Sequence, residues 1–491
     1  MGEGAFCMAE QRLSWLQKWG KPIDLTTGVP YKSMLRYGAP IVFSYLLQQI
    51  YELTDAVICG QVLTAGQVAG VNDIGVLTFI FLQFAFGCTA GFSVITAGHV
   101  GASDNRGIRQ SFVAQMYLTG IISVLLTVIS LTLLPQLLRM IHVTPDNPEV
   151  YEAAYAYCRI IFLGIIAQMG YNCLCSILRA CGDSVTPLLF LIVSTLLNVG
   201  LDLLFLTVFR MGPAGAAGAT VLTQLLSVIG CLVYTMLRYE WLRPRREDFR
   251  NGWCAITSHL KQGVPLGIQF SILAIGIVVL QGVVVRFDLT PSGAMVAATP
   301  AQNGFGSANR LMNFLIAFYQ GLGSAILGFN AQNYGKKRHD RIRQGTLQAL
   351  GLMLVLCVFC TAAGLLLSIN GTYQSIFMSP EKITPASVTF GNWYLYINLG
   401  LYIILGFLIV VRSAVQGVFR PRFVLGAGIV ELVGRVVICA FLPVWINGGP
   451  IDASASLASF GALCFGNAGA WFLASCVLAV PFFGNILRQK Y

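Results

Sequence analysis

Charge is what this sequence has least of. Of its 491 residues only 10% are Asp, Glu, Lys or Arg, against the ~25% usual in a soluble domain. With 56% hydrophobic residues and a mean hydropathy of +0.73, the chain has too little polar surface to clothe a water-facing fold. Catalytic signatures are missing as well. There are four histidines, and neither an HExxH helix nor a GxGD pair occurs, so an intramembrane enzyme lacks its groups. A primary pump would need a phosphate-cradling GxxxxGK[ST] loop, but the Gly-Lys pairs at 20–21 and 335–336 have no upstream glycine at that spacing. The alternating segments of an outer-membrane barrel are absent. The first 37 residues contain no apolar core of the signal-peptide kind. The fourteen cysteines lie mostly in apolar stretches. Cys357 and Cys360 have CxxC spacing without His or acidic neighbours, so they read as small buried hydrophobes, not as a metal or redox pair.

What is present is a series of apolar runs of roughly 20 residues, each long enough to cross a bilayer as a helix. They number twelve, near 40–59, 74–97, 112–135, 158–177, 185–209, 214–236, 265–285, 296–329, 346–369, 393–415, 423–445 and 460–485. The fold class expected is an all-α polytopic membrane protein, its twelve transmembrane helices arranged as two pseudo-symmetric six-helix bundles around a central cleft. The net charge of +11 is an address, not a nucleic-acid surface. Of the 31 Lys and Arg, five (Arg139, Arg159, Arg210, Arg286 and Lys382) fall on one side of the spans, Arg310 and Arg435 fall inside spans, and the other 24 fall on the opposite side. The positive-inside rule therefore puts both termini in the cytoplasm and the chain in the cell membrane.

Against this apolar background the intramembrane carboxylates stand out, because an aspartate at the bilayer centre costs about 3 kcal/mol even on the lenient insertion scale. The first span carries Glu52 and Asp55, three apart and on one helix face. The fifth carries Asn198 and Asp202, four apart and again on one face. Counting from the span ends, Asp55, Asp202 and Thr220 of the sixth span lie at similar depth in the outer half of the bilayer, with Glu52 and Asn198 one turn deeper. Three carboxylates, an amide and a hydroxyl could thus converge in one pocket. The bland alternative is that each satisfies its own helix–helix hydrogen bond, which for Asn198 or Thr220 alone is the better reading. Two aspartates at one depth favour an ion or proton site.

The chain also repeats itself. AGHVGASDNRGIRQ at 97–110 returns as AQNYGKKRHDRIRQ at 331–344, so that Ala97, Gly101, Ile108, Arg109 and Gln110 match Ala331, Gly335, Ile342, Arg343 and Gln344 at an offset of 234. Gly38-Ala-Pro40 is echoed by Gly263-Val-Pro265, and Ala214-Gly-Ala216 by Ala468-Gly-Ala470. Two six-span halves in the same orientation are parallel repeats about an axis along the membrane normal. The expected parts are an N-terminal segment at 1–37, a first lobe at 38–236, a basic linker at 237–261 and a second lobe at 262–487. Residues 1–37 mix Leu13, Trp15, Leu16 and Trp19 with Arg12, Lys18 and Lys21, the composition either of an interfacial helix or of an unstructured tail. Asn370-Gly-Thr372 fits a glycosylation sequon, which means nothing in a bacterial membrane.

The second half is not a chemical copy of the first. Its seventh and tenth spans have no acid. Glu431 and Arg435, four apart, are spaced for an ion pair of largely structural role. Arg310 has no local partner, and could meet Asp73 or Glu431, or face the cleft.

The ordered set ILRACGDS, NVGLD, GPAGAAGAT, GVP and QNYG, spread over twelve spans, resembles the multidrug and toxic compound extrusion (MATE) transporters from about Tyr31 to the C-terminus. The bacterial damage-inducible and MepA-like branch is the nearest in pattern. That resemblance implies a monomeric secondary antiporter, not an enzyme and without a cofactor, in which inward H⁺ or Na⁺ drives export of amphipathic, often cationic organic compounds. It also implies a cation site at Asp55, Asn198, Asp202 and Thr220, and a first-helix hinge at Pro40. Departures are Glu52, where such relatives often have Asn, the missing second-lobe acids, and Asn72-Asp73 at the head of the second span.

Carboxylates in mutual reach in low dielectric cannot all ionise cheaply, so the group suits a shared proton, or Na⁺ with Asn198 and Thr220 oxygens completing its shell. H⁺ is favoured because carboxylates outnumber neutral oxygens. Pro40 removes a backbone hydrogen bond and can absorb a bend, or can simply be tolerated in the first turn of a span. The rival readings are a lipid-linked-saccharide flippase of the same superfamily and, from another class, a passive channel. The residues do not select a substrate.

Overall fold

The computed structural model describes residues 22–489 apart from 142, so residues 1–21 of the N-terminal segment expected at 1–37 lie outside them, while residues 30–37 already belong to the first helix. Among the described residues every regular element is helical, and the one β-bridge, Leu289 to Met295, is isolated in a loop. In chain order the first half comprises α1 (Pro30–Val62), α2 (Ala65–Asp73), α3 (Gly75–Gly101), α4 (Asn105–Met140), α5 (Pro148–Leu163), α6 (Ile165–Ala180), α7 (Val185–Leu203) and α8 (Pro213–Arg238). The second comprises α9 (Arg246–Arg286), α10 (Pro300–Gly335), α11 (His339–Ser368), α12 (Thr372–Phe377), α13 (Pro385–Gly400), α14 (Tyr402–Gly417), α15 (Pro421–Asn447) and α16 (Leu457–Pro481). Prolines stand at the first turns of α1, α5, α8, α10, α13 and α15, where the missing N–H would have had no partner in any case.

Nine of these helices are long and apolar enough to cross a membrane. Two further crossings are made by helix pairs bent at a single residue, α5–α6 by 46° and α13–α14 by 52°. These pairs correspond to the fourth and tenth spans of the sequence, near 158–177 and 393–415, and are broken at similar places in the two halves. The first span expected from the sequence corresponds to α1, 33 residues long, which carries Gln48, Gln49, Glu52 and Asp55 and is not among the helices apolar enough to cross on composition. The segment expected as a linker, 237–261, is a short turn to Arg245 followed by the first turns of α9, which continues unbroken through Pro265. Asn72 and Asp73 close the separate helix α2, which Thr64 and Gln67 start with a capping box, and do not open the second span.

The two halves meet through small residues, and they meet twice in the same way. A Cβ on Gly101 of α3 would strike the Gln332 carbonyl of α10, and one on Gly335 of α10 would strike the Gly98 carbonyl of α3. At the offset of 234 these are one contact seen from both sides, as a two-fold axis requires. Higher up, Gly91 lies against Gly263 of α9 and Ala325 lies against Gly38 of α1; Gly87 lies against Gly267 and Gly321 against Val42. Each partner is again the repeat equivalent of the other. Only small residues allow helix backbones this close, so α3 on α9 and α10 on α1 form a pseudo-symmetric seam. Each half keeps its own aromatic core, around Phe92 and Phe162 in the first and Tyr319, Tyr402 and Phe460 in the second.

The ends of α3 and α10 lie on the face where the sequence concentrates Lys and Arg, here called the basic face. Residues 22–29 run across it as a strap. Ile23 N–H donates to the Gly182 carbonyl at 3.0 Å, and Leu25 N–H to Gln332 Oε1 at 3.2 Å, while Gln332 Nε2 donates to the Ala180 carbonyl at 2.9 Å. The Arg341 guanidinium donates to the carbonyls of Leu25, Thr27 and Gly28. Both halves are thereby tied together at this face. A bulky side chain at the glycine crossing should open it. In Gly101→Leu, a cysteine introduced at Ala331, which is fully buried, should react with a maleimide reagent at least ~10-fold faster than in the Gly101 parent, because a displaced helix end leaves its packing partner uncovered. Equal rates would mean that the crossing does not hold the face shut.

Candidate functional site

The first helix presents two distinct faces. Phe43, Ile50 and Val57 are 62%, 49% and 48% exposed and share one stripe. At about 100° per residue, Tyr37, Ile41, Tyr51, Glu52, Asp55 and Cys59 project from the opposite side. Tyr37, Ile41 and Cys59 are buried there, so this side faces the protein. The polar residues that lower the helix's hydropathy are therefore turned inward, away from lipid.

From that face Asp55 reaches Asp202 on α7, and the two carboxyl groups lie in hydrogen-bonding contact. Asp202 is completely buried. Neither of its oxygens has a donor among the described residues, and Asp55 Oδ1 has none either. Two ionised carboxylates this close repel, an arrangement that suits a shared proton or a bound cation between them. Asn198 lies one turn before Asp202 on the same buried face, with its amide nitrogen unpartnered. Thr220 of α8 joins through Tyr51, whose hydroxyl donates to Thr220 Oγ1 at 3.5 Å.

Glu52 flanks the pair. It is exposed and accepts a hydrogen bond from Gln48 Nε2 at 3.1 Å, and it lies near enough to Asp55 to interact with it electrostatically. Of the three carboxylates read from the sequence, Asp55 and Asp202 approach each other directly and Glu52 stands at the margin. Among the described residues no group of three or more His, Cys, Asp and Glu could hold a metal ion. The donor set suits a proton, or a monovalent cation held by Asp55 and Asp202 with the Thr220 hydroxyl and the Asn198 amide oxygen nearby.

Sequence reasoning missed Tyr51 and Tyr157. Both lie close enough to Asp55 and Asp202 to interact electrostatically with them. Their signal was present, since Tyr51 is one turn before Asp55, but tyrosines are common in such helices and a phenol alone does not mark a site. The sequence also gave no sign of the π-helical turn at Leu204–Val208, immediately after Asp202. Such turns re-aim side chains and recur at functional sites. Pro40 lies inside α1 without interrupting it, and its carbonyl accepts from the Ser44 hydroxyl at 2.9 Å.

The charges of the second half settle differently from the expected neutral pair. Glu431 is buried and held by two arginines, Arg412 at 2.5 Å and Arg435 at 3.1 Å. One carboxylate between two guanidiniums leaves a net positive charge. Arg310 meets neither Asp73 nor Glu431; it is exposed and donates to the Phe377 carbonyl at 3.3 Å. Between the halves, toward the basic face, lies a cavity of about 110 Å³ lined by residues of both, smaller than a pocket that encloses a whole drug-sized molecule.

Two like halves of apolar helices, a shared cavity and paired carboxylates inside a helix bundle are the arrangement of a polytopic membrane transporter. The MatE family model matches residues 40–204 and 301–441, well over half of the chain and one block in each half. Among similar proteins is "Probable multidrug resistance protein YpnP" of Bacillus subtilis, 29% identical over 66% of this chain and 69% of that protein. A "FAD transporter" of Shewanella oneidensis is 23% identical over 81% of this chain and 84% of that protein. A solved structure described as MATE in the straight conformation matches with a TM-score of 0.81 at 20% identity, over 96% of this chain and 99% of that one, a likeness of fold. The chain belongs to the MATE family of transporters.

Proposed function

We propose that this chain is a secondary antiporter that couples inward movement of a cation, H⁺ in preference to Na⁺, to export of amphipathic organic compounds by alternating access. The observation that carries this reading is the Asp55–Asp202 pair, three of whose oxygens are buried without a donor. A proton shared by the pair removes the repulsion; its loss restores it. Loading and unloading the pair can therefore bias α1 against α7, and α1 is also half of the seam with the second bundle. Pro40 gives α1 a place to bend, between the seam contacts at Gly38 and Val42. Proton binding from the outer side favours closing outward and opening the basic face, which on this reading is cytoplasmic. The chain acts as a monomer in the cell membrane.

The names of its relatives cover both multidrug resistance and FAD transport. Amphipathic organic compounds are the first cargo to try. The test uses inverted vesicles with a ΔpH and a Na⁺ gradient imposed separately. Export of a fluorescent organic solute should follow ΔpH and ignore Na⁺. Export driven by Na⁺ at zero ΔpH would reassign the ion, and equilibration without accumulation would make the protein a channel.

A further inference from the structure

We infer that the cavity between the halves takes the anionic group of an aromatic organic solute, a carboxylate or phosphate, between Arg179 and Arg412. This rests on the transporter reading and specifies its cargo. The two charged residues in the cavity lining are both arginines, and no carboxylate faces it. They come from corresponding helices of the two halves, α6 and α14, each within the last two turns. A single anionic group near the pseudo-two-fold axis can therefore meet both.

The two arginines bring more positive charge than their surroundings cancel. Arg179 makes no ion pair among the described residues, and its Nε is buried without an acceptor. Arg412 is paired with Glu431 at 2.5 Å, but that carboxylate is shared with Arg435, so the three carry a net positive charge, and Arg412 Nε is left without an acceptor. Excess positive charge beside a low-dielectric space attracts an anion and disfavours a cation. Of the neutral groups in the lining, Gln416 Nε2 is a buried amide donor without a partner, whereas the unpartnered atom of Gln269 is its acceptor oxygen. The body of the ligand follows from the walls, where Phe86 and Phe270 form an edge-to-face pair with centroids 5.4 Å apart. Such a pair offers ring surface to a flat aromatic. Arg179 near the basic face could have turned to lipid headgroups; instead it lines the enclosed space.

Two xanthene dyes of opposite charge isolate the effect: carboxyfluorescein, an anion, and rhodamine 6G, a cation. Binding of each to the full-length purified protein is followed by fluorescence anisotropy, with no gradient present. The wild type should bind carboxyfluorescein. Arg179→Gln should weaken that binding by about tenfold or more, the scale of one charge-assisted contact. Arg179→Lys should keep most of it, and rhodamine 6G binding should not fall in either variant. Equal carboxyfluorescein affinity in wild type and Arg179→Gln overturns the inference. If Arg179→Gln does not fold, the wild type decides: rhodamine 6G bound with carboxyfluorescein excluded overturns it. A polyprenyl phosphate that binds where carboxyfluorescein does not would give the cavity to a lipid headgroup and overturn the assignment of a soluble cargo. The transporter reading fails separately, if neither ΔpH nor a Na⁺ gradient moves any solute in vesicles, whatever binds.

Discussion

The double variant Asp55→Asn/Asp202→Asn should export nothing above protein-free vesicles while remaining folded. An asparagine fills the space of an aspartate but cannot take up or release a proton near neutral pH. With both carboxyls gone, the outward and inward forms of the carrier no longer differ in proton affinity, and a gradient has nothing to act on. Burying an amide costs less than burying a carboxylate, so the melting temperature in detergent should hold or rise. Loss of transport with intact melting thus separates a coupling role from a structural one. Glu52→Gln supplies the control. Glu52 stands outside the pair, bonded to Gln48, so its variant should keep ΔpH-driven export within about threefold, a loss below 1 kcal/mol. Uphill export by the double variant would remove the coupling role from Asp55 and Asp202.

Glu431→Ala should destabilise the second half more than any other single change at an ionisable residue. The substitution leaves Arg412 and Arg435 close together without their counter-ion, in a helix bundle surrounded by lipid. Breaking a buried pair from one side costs about 3–5 kcal/mol, because the remaining charge stays buried and unpaired. Arg435 is 4% exposed and packs where a Cβ on Gly276 would strike its guanidinium, so it has no room to turn toward solvent. Glu431→Gln keeps an acceptor oxygen and should lose less. The pair Glu431→Met/Arg435→Met removes one of the two stranded charges but leaves Arg412 unpaired, so it should recover only part of the loss. Thermal unfolding in detergent and the amount of protein in the membrane report all three. If Glu431→Ala melts within a degree or two of wild type, the triad is not a stability element.

How much of this was legible beforehand depends on the range of the signal. The spans follow from local composition, since a bilayer selects every helix by length and polarity alone. The repeat also survives in local motifs: the offset that aligns Gly101 with Gly335 is the one that relates the contacts across the seam. Asp55 and Asp202 could be set at one depth because helices in a membrane run roughly parallel and depth is a count of residues. Rotation about the helix axis is another matter. Glu52 and Asp55 share a face on paper, yet only Asp55 reaches Asp202, because α7 packs on one flank of that face. Likewise Glu431 and Arg435 could be paired by their spacing, but Arg412 comes from another span, and no local rule brings it there.

The sequence by itself therefore determined the membrane class, most of the apolar spans and the two-fold repeat, because each of these can be read from local composition and motifs along the chain. The tertiary structure alone decided which flanks of the helices meet. It left two aspartates, not three acids, in contact, placed one glutamate between two arginines, broke the fourth and tenth spans, and turned Arg179 and Arg412 into the shared cavity. Those outcomes depend on helix rotation and close packing, which join residues hundreds of positions apart and leave no periodic trace along the chain.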